Sequence, residues 1–193
     1  MLIKDIIKQS ALVKQMMAED DLLLSEIQDI ANKMVEVFRA GGKILFCGNG
    51  GSAADAQHIA AELSGRFYYD RPPLFAEALH VNTSYLTAVA NDYSFDVIYS
   101  RLVQAMGKPG DMLIGISTSG NSVNIVNALE MAKKHNMICV GLTGSKGGKM
   151  KDICDHILCI SSDVTPRIQE AHILVGHILC QLVESAIFPQ NHA

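Results

Sequence analysis

No apolar run in this chain approaches the roughly 18 residues that a membrane-crossing helix needs. The opening, MLIKDIIKQS, carries an acid at Asp5 and lacks a long apolar core, so it is not expected to be a secretory signal. Cysteine pairs of the CxxC type are missing. The five thiols (Cys47, Cys139, Cys154, Cys159 and Cys180) are scattered, mostly in apolar contexts. That pattern predicts core filler in a reducing cytoplasm rather than a disulfide framework. An excess of basic charge is missing too. Lys and Arg number 16 against 20 Asp and Glu, the net charge is −4 and the pI is about 5.9. This leaves no global footprint for nucleic acid. There is no low-complexity segment, linker or tandem repeat. What is present suits one domain of 193 residues, 49% hydrophobic and 19% charged, with a sizeable core. The mean hydropathy of +0.19 hints at further burial in an oligomer.

The chain is organised around GISTSGNS, Gly115–Ser122. An apolar run, Met112–Ile116, precedes it and reads as a buried strand. Val123–Lys134 follows and reads as a helix. The first N–H groups of a helix lack partners within it, and the macrodipole makes that end positive. Hydroxyl side chains gathered there form a nest for an anion such as phosphate. An ordinary N-cap would need one Ser rather than a cluster. No Lys follows in the Walker manner, so a small phosphorylated metabolite is expected instead of a nucleoside triphosphate.

Residues 1–40 are predicted to form two helices, the second capped by Asp20 or Asp21 and stopped by Gly41-Gly42. They are expected either to pack on another subunit or to cover one face of a sheet. Strands are predicted at 43–47, 76–81, 112–116, 137–142 and 157–160. The helical stretches between them fall near 53–63, up to Asn91-Asp92, at 95–106 and at 123–134, with a long C-terminal helix near 167–187. Strands alternating with helices imply an α/β fold, a doubly wound, flavodoxin-like parallel sheet of five strands. Residues 41–193 form its main domain and residues 1–40 an appended helical oligomerisation element. Three polar, Gly-rich turns (48–52, 117–122 and 143–149) fall at strand carboxyl ends, where ligands bind in such sheets. Gly48, Gly50 and Ala53 formally satisfy a dinucleotide fingerprint. The next predicted strand ends in Asn82 rather than an acid, so a dinucleotide is not expected.

Two constellations could carry chemistry. His58 and Glu62 are four apart on one helix, which stacks them on one face about 6 Å apart at Cα. Such a pair binds zinc or sets a base beside an imidazole, and it is also common on solvated faces. The C-terminal helix carries Gln169, Glu170, His172 and His177 in an otherwise apolar stretch. A His there is either a satisfied core residue or a functional one. Gln169 and His177 lie eight residues apart, about 12 Å along the axis, which makes a shared metal awkward.

Together, CGNGGS at 47–52, HxxxE at 58–62, Asn91-Asp92, GISTSGNS at 115–122 and TPRIQEAH at 165–172 with His177 resemble the sugar-isomerase (SIS) domain family over nearly the whole chain. The resemblance implies an isomerase that converts sedoheptulose 7-phosphate to D-glycero-D-manno-heptose 7-phosphate through an enediol, the first step of nucleotide-activated heptose synthesis. It implies a cytoplasmic homotetramer with active sites at subunit interfaces, binding a phosphorylated sugar and neither nucleic acid nor membrane. It implies Glu62 as base and His177 as acid. Substrate contacts carry over to Asn49, Gly50, Gly51, Ser52, Glu62, Asn91, Asp92, Ser117, Thr118, Ser119, Ser122 and Gln169. One zinc per subunit is implied on His58, Glu62, Gln169 and His177. The competing expectation is a non-catalytic SIS-domain adaptor that binds the bacterial replication initiator DnaA, which LTAVAND (Leu86–Asp92) and Phe188-Pro189 also fit. That relative lacks the residues matching Glu62 and His177, and this chain has both. A sugar-phosphate-sensing regulator would bring a DNA-binding domain, and the first 40 residues show no helix-turn-helix and no basic cluster.

Overall fold

A computed structural model describes residues 1–190 of the chain. Two helices come first, α1 (Leu2–Ala18) and α2 (Asp21–Arg39). Asp20 caps α2, its carboxylate accepting the Leu23 N–H at 3.0 Å. Gly41, at φ +76°, adopts the left-handed conformation that ends a helix. The strands are β1 (Ile44–Gly48), β2 (Ala76–Ala78), β3 (Met112–Ile116), β4 (Ile138–Gly144) and β5 (His156–Ile160). Between and after them run α3 (Gly51–Ser64), α4 (Thr83–Asp92), α5 (Ile98–Met106), α6 (Val123–Lys134) and α7 (Thr165–Ile187). All strand pairs are parallel, in the order β2-β1-β3-β4-β5. This is the doubly wound, flavodoxin-like sheet expected. The order reverses at β1 and β3, so the crevice for ligands opens where their carboxyl ends, Gly48 and Ile116, lie side by side.

The strands are apolar throughout because both faces of the sheet are covered. Ile44 and Phe46 face a core shared with α2, α3 and α7, while Leu45 and Cys47 face a second core under α5 and α6. The two helices of residues 1–40 differ in burial. Ile27, Ile30 and Met34 of α2 are buried with Val175, Leu179 and Val183 of α7, so α2 is sheet cover and shares the main core. By contrast α1 leaves Leu2, Ile3, Ile7 and Leu12 exposed.

Two elements depart from the sequence expectation. β2 stops at Ala78, because Asn82 accepts the Tyr85 N–H and turns the chain into α4. The helix expected from Phe95 begins with a 3-10 turn, Phe95–Val97, since Ser94 Oγ accepts the Asp96 N–H and sets a tighter first turn. The cysteines behave as filler. All five are free, and burial pushes the thiols of Cys139, Cys154 and Cys180 up to about 12. Among the described residues no helix is long and apolar enough to cross a membrane.

Candidate active site

The second Gly-rich turn is not an ordinary helix cap. Ser122 occupies the N-cap position of α6, yet its side chain makes no capping bond. Its hydroxyl lies 3.0 Å from Ser117 Oγ, and Ser119 Oγ lies 3.4 Å from the same atom. Three hydroxyls therefore converge beside a helix N-terminus that no side chain of the turn caps. The turn is rigid. Gly120 (φ +66°) touches Gly147 so closely that a Cβ would overlap the Gly147 carbonyl. Asn121 Oδ1 accepts the Lys149 N–H at 3.0 Å. The third turn is thereby locked onto the second. A cavity of about 360 Å³ opens between them, lined by Thr118, Ser119, Ser145, Lys146, Asp163 and Thr165 among others. Lys146 gives this cavity a cation that the sequence motif had not singled out. It sits in the loop that β4 aims at the same edge.

The first turn is tied to the second by an amide pair. Asn49 Nδ2 donates to Asn124 Oδ1 at 2.8 Å, and Asn124 Nδ2 donates back to Asn49 Oδ1 at 2.9 Å. Asn124 is buried on the first turn of α6. The Asn49 side chain, expected to contact substrate, is thus engaged in holding the two turns together. Asn124→Ala is expected to cost about 1–3 kcal/mol, because it strands the Asn49 amide. In a denaturation double-mutant cycle, Asn49→Ala and Asn124→Ala should couple by about 1 kcal/mol or more. Additive losses would show that the pair contributes nothing.

The α3 helix starts at Gly51, after Gly50 at a positive φ (+57°) that favours glycine, and also lacks a side-chain cap. It carries His58 and Glu62 toward α7, which brings His177. The ligand atoms of the three lie within 4.8 Å of one another. His58 Nε2 is 3.1 Å from Glu62 Oε1 and 3.1 Å from His177 Nε2. The i,i+4 spacing built half of this cluster, and packing of α3 on α7 built the rest. Asp55, one turn before His58, was not evident from the sequence. Its Oδ2 is buried without a hydrogen-bond partner. Burial pushes this carboxyl up, and the nearby His58 opposes the shift.

The two candidate histidines of α7 separate cleanly. His172 is fully buried, its Nε2 is 3.1 Å from the Thr143 carbonyl oxygen, and burial lowers its pKa to about 4. It is a neutral core residue at pH 7. His177 reaches the cluster. Gln169 does not join it, because its amide packs over Gly51, 2.7 Å from where a Cβ there would stand. Gly51 and His58 are seven residues apart, about 10 Å along α3. Asn91 and Asp92 end α4, exposed, with Asn91 Nδ2 donating to Asp92 Oδ1 at 2.9 Å. No hydrogen bond joins them to either turn among the described residues.

The donor set fits a zinc ion. One Nε2 carries a single proton or a single lone pair, so His58 Nε2 cannot satisfy both Glu62 and His177 well by hydrogen bonding. A cation among the three satisfies all of them. Two imidazole nitrogens and a carboxylate oxygen form a donor set that zinc takes, and the 3.1 Å between the nitrogens is close to the roughly 3.3 Å edge of a tetrahedral zinc site.

Comparison with known proteins gives the family. The family model described as SIS domain matches residues 8–144. A phosphoheptose isomerase of Aneurinibacillus thermoaerophilus is 56% identical over 186 residues, covering 96% of this chain and 94% of the relative. The structure of phosphoheptose isomerase GmhA from Neisseria gonorrhoeae superposes with a TM-score of 0.89 at 42% identity, covering 95% of this chain and 97% of the other. A phosphoheptose isomerase from Francisella tularensis gives 0.91 at 38% identity, covering 95% and 96%. A shared architecture, near-complete coverage and high identity together place the chain in the SIS-domain family, among its phosphoheptose isomerases.

Proposed function

We propose that the chain isomerises sedoheptulose 7-phosphate to D-glycero-D-manno-heptose 7-phosphate, opening a route to nucleotide-activated heptose. The observation that carries this reading is the meeting of Glu62 and His58 on α3 with His177 on α7, while a hydroxyl-rich turn without a side-chain cap opens α6 beside the start of α3. Phosphate binds at Ser117, Thr118, Ser119 and Ser122, held by hydroxyls and the positive end of α6. Gln169, over Gly51, contacts the sugar together with the backbone of Gly50 and Gly51 and the Ser52 hydroxyl, and Asn91 and Asp92 complete its polar contacts. A grip distant from the reacting carbons fixes them against the catalytic groups. Glu62 takes a proton from C1 of the open-chain ketose, while His177 gives one to the C2 oxygen, forming the enediol. Return of a proton to C2 and loss of one from the C1 hydroxyl yield the aldose.

His58, Glu62 and His177 hold the zinc ion in this reading, and Gln169 joins them only if its side chain swings away from Gly51. Glu62 and His177 each transfer a proton only while off the ion, because one lone pair cannot serve both, so coordination and proton transfer alternate. When bound, the metal supplies charge stabilisation to sugar oxygens. Five free thiols fit a reducing cytoplasm. The exposed apolar stripe of α1 supports assembly as a homotetramer, which sedimentation velocity checks by a mass of four chains. The adaptor reading draws no support from the relatives above, which are named as isomerases.

Turnover measured after chelation and after zinc is restored tests the metal assignment. Turnover is expected to fall with chelator and return with zinc. Unchanged turnover under both conditions would remove zinc from the account.

A further inference from the structure

The connector from Gly65 to Phe75 links α3 to β2. Here it carries a buried ion pair that touches every element of the cluster. Arg71 Nε donates to Glu184 Oε1 at 3.0 Å, and both side chains are almost fully buried. Arg71 Nη2 donates to the carbonyl oxygen of Glu62 itself at 2.8 Å, and Nη1 donates to that of Leu63 at 2.7 Å. Glu184 lies two turns beyond His177 on α7. Its carboxylate also accepts the N–H of Phe67 at 2.9 Å and that of Tyr68 at 2.8 Å. Burial alone would push this carboxyl up, but the two N–H groups and the guanidinium outweigh it and hold the carboxyl below its ordinary value. The pair therefore fixes the end of α3, the connector and α7 in one arrangement. Within it the Phe67 ring stacks on the His177 imidazole, with centroids 5.8 Å apart and planes at 29°. His58 is the other aromatic neighbour of His177, at 5.1 Å and 58°.

We infer that Phe67 is a positioning residue for the His58–Glu62–His177 cluster, held over His177 by the Arg71–Glu184 clamp. The terminal torsion of a His side chain is broad and roughly two-fold, so a ring with one free face samples orientations that turn Nε2 away from its partners. Phe67 restricts that motion without touching the reacting atoms. Groups of this kind, one step removed from a metal ligand, typically change metal affinity or activity by about 10–100-fold.

The kinetic arm rests on the isomerase reading, and the binding arm does not. Phe67→Ala should lower kcat about tenfold while leaving KM and competitive inhibition by inorganic phosphate unchanged, because the phosphate turn is untouched. Zinc affinity of the apo protein, read by competition with a chromogenic chelator, should weaken about tenfold as well. Phe67→Tyr keeps the ring and should restore both to within about twofold of the parent. Phe67→Leu keeps apolar volume without a flat ring, so it carries the same test if the Ala variant does not fold. Parent-like kcat and zinc affinity in Phe67→Ala or Phe67→Leu would overturn the inference. So would parallel changes in phosphate inhibition, which would mean a general loss of structure. An inactive parent that still shows the zinc effect would leave the positioning role standing and refute the isomerase reading instead.

Discussion

Glu62→Gln should abolish all but about one part in a thousand of the isomerase turnover. General base catalysis contributes typically about 10²–10⁴-fold, and the amide has the carboxylate's shape without its proton affinity. A thousandfold loss corresponds to about 4 kcal/mol of barrier. The substitution should leave the fold intact, since Gln can still accept from His58 Nε2, which now stands 3.1 Å from Glu62 Oε1. Inhibition by inorganic phosphate should also persist, because the hydroxyl turn is separate from this side chain. Initial rates with sedoheptulose 7-phosphate check the expectation. A loss smaller than about tenfold would remove Glu62 from the role of base.

The second large effect concerns stability. Arg71→Met should cost about 3–5 kcal/mol, since it leaves the Glu184 carboxylate buried without its counter-ion. It also strands the carbonyl oxygens of Glu62 and Leu63. For a chain of this size the melting temperature should fall by roughly 6–20 °C. The double variant Arg71→Met/Glu184→Gln should be more stable than Arg71→Met alone, because the remaining cost is an uncompensated buried charge. Denaturant titration of the parent, the Arg71→Met and Glu184→Gln single variants and the double variant decides this. A double variant that loses the sum of both single losses would show that the charge pairing is not the cause.

Much of the frame was legible in the sequence because local chemistry dictates it. The apolar runs at β1, β3 and β4 had to be buried on both faces, and Gly and Ser clusters at their ends had to be turns. The hydroxyl turn and the His58–Glu62 spacing were both visible. What stayed hidden depends on partners far apart along the chain. Arg71 meets Glu184 across 113 positions and Asn49 meets Asn124 across 75, and neither pair leaves a periodic trace. Phe67 belongs to no motif of the sequence and meets His177 only through the fold. The eight-residue gap between Gln169 and His177 hinted that both would not reach one metal, and the structure sets Gln169 over Gly51 instead. His172 and His177 look alike in the sequence. Only the packing of α7 shows that one binds the Thr143 carbonyl and the other joins the cluster.

The most direct test of the account is conversion of sedoheptulose 7-phosphate by the purified, zinc-restored protein in deuterium oxide, followed by NMR. Proton transfer through an enediol predicts an aldose product that carries solvent deuterium at C2. A failure to form any aldose would contradict the assigned reaction, and an aldose with no deuterium at C2 would show that the hydrogen lost from C1 is itself delivered to C2, against a base that exchanges with solvent.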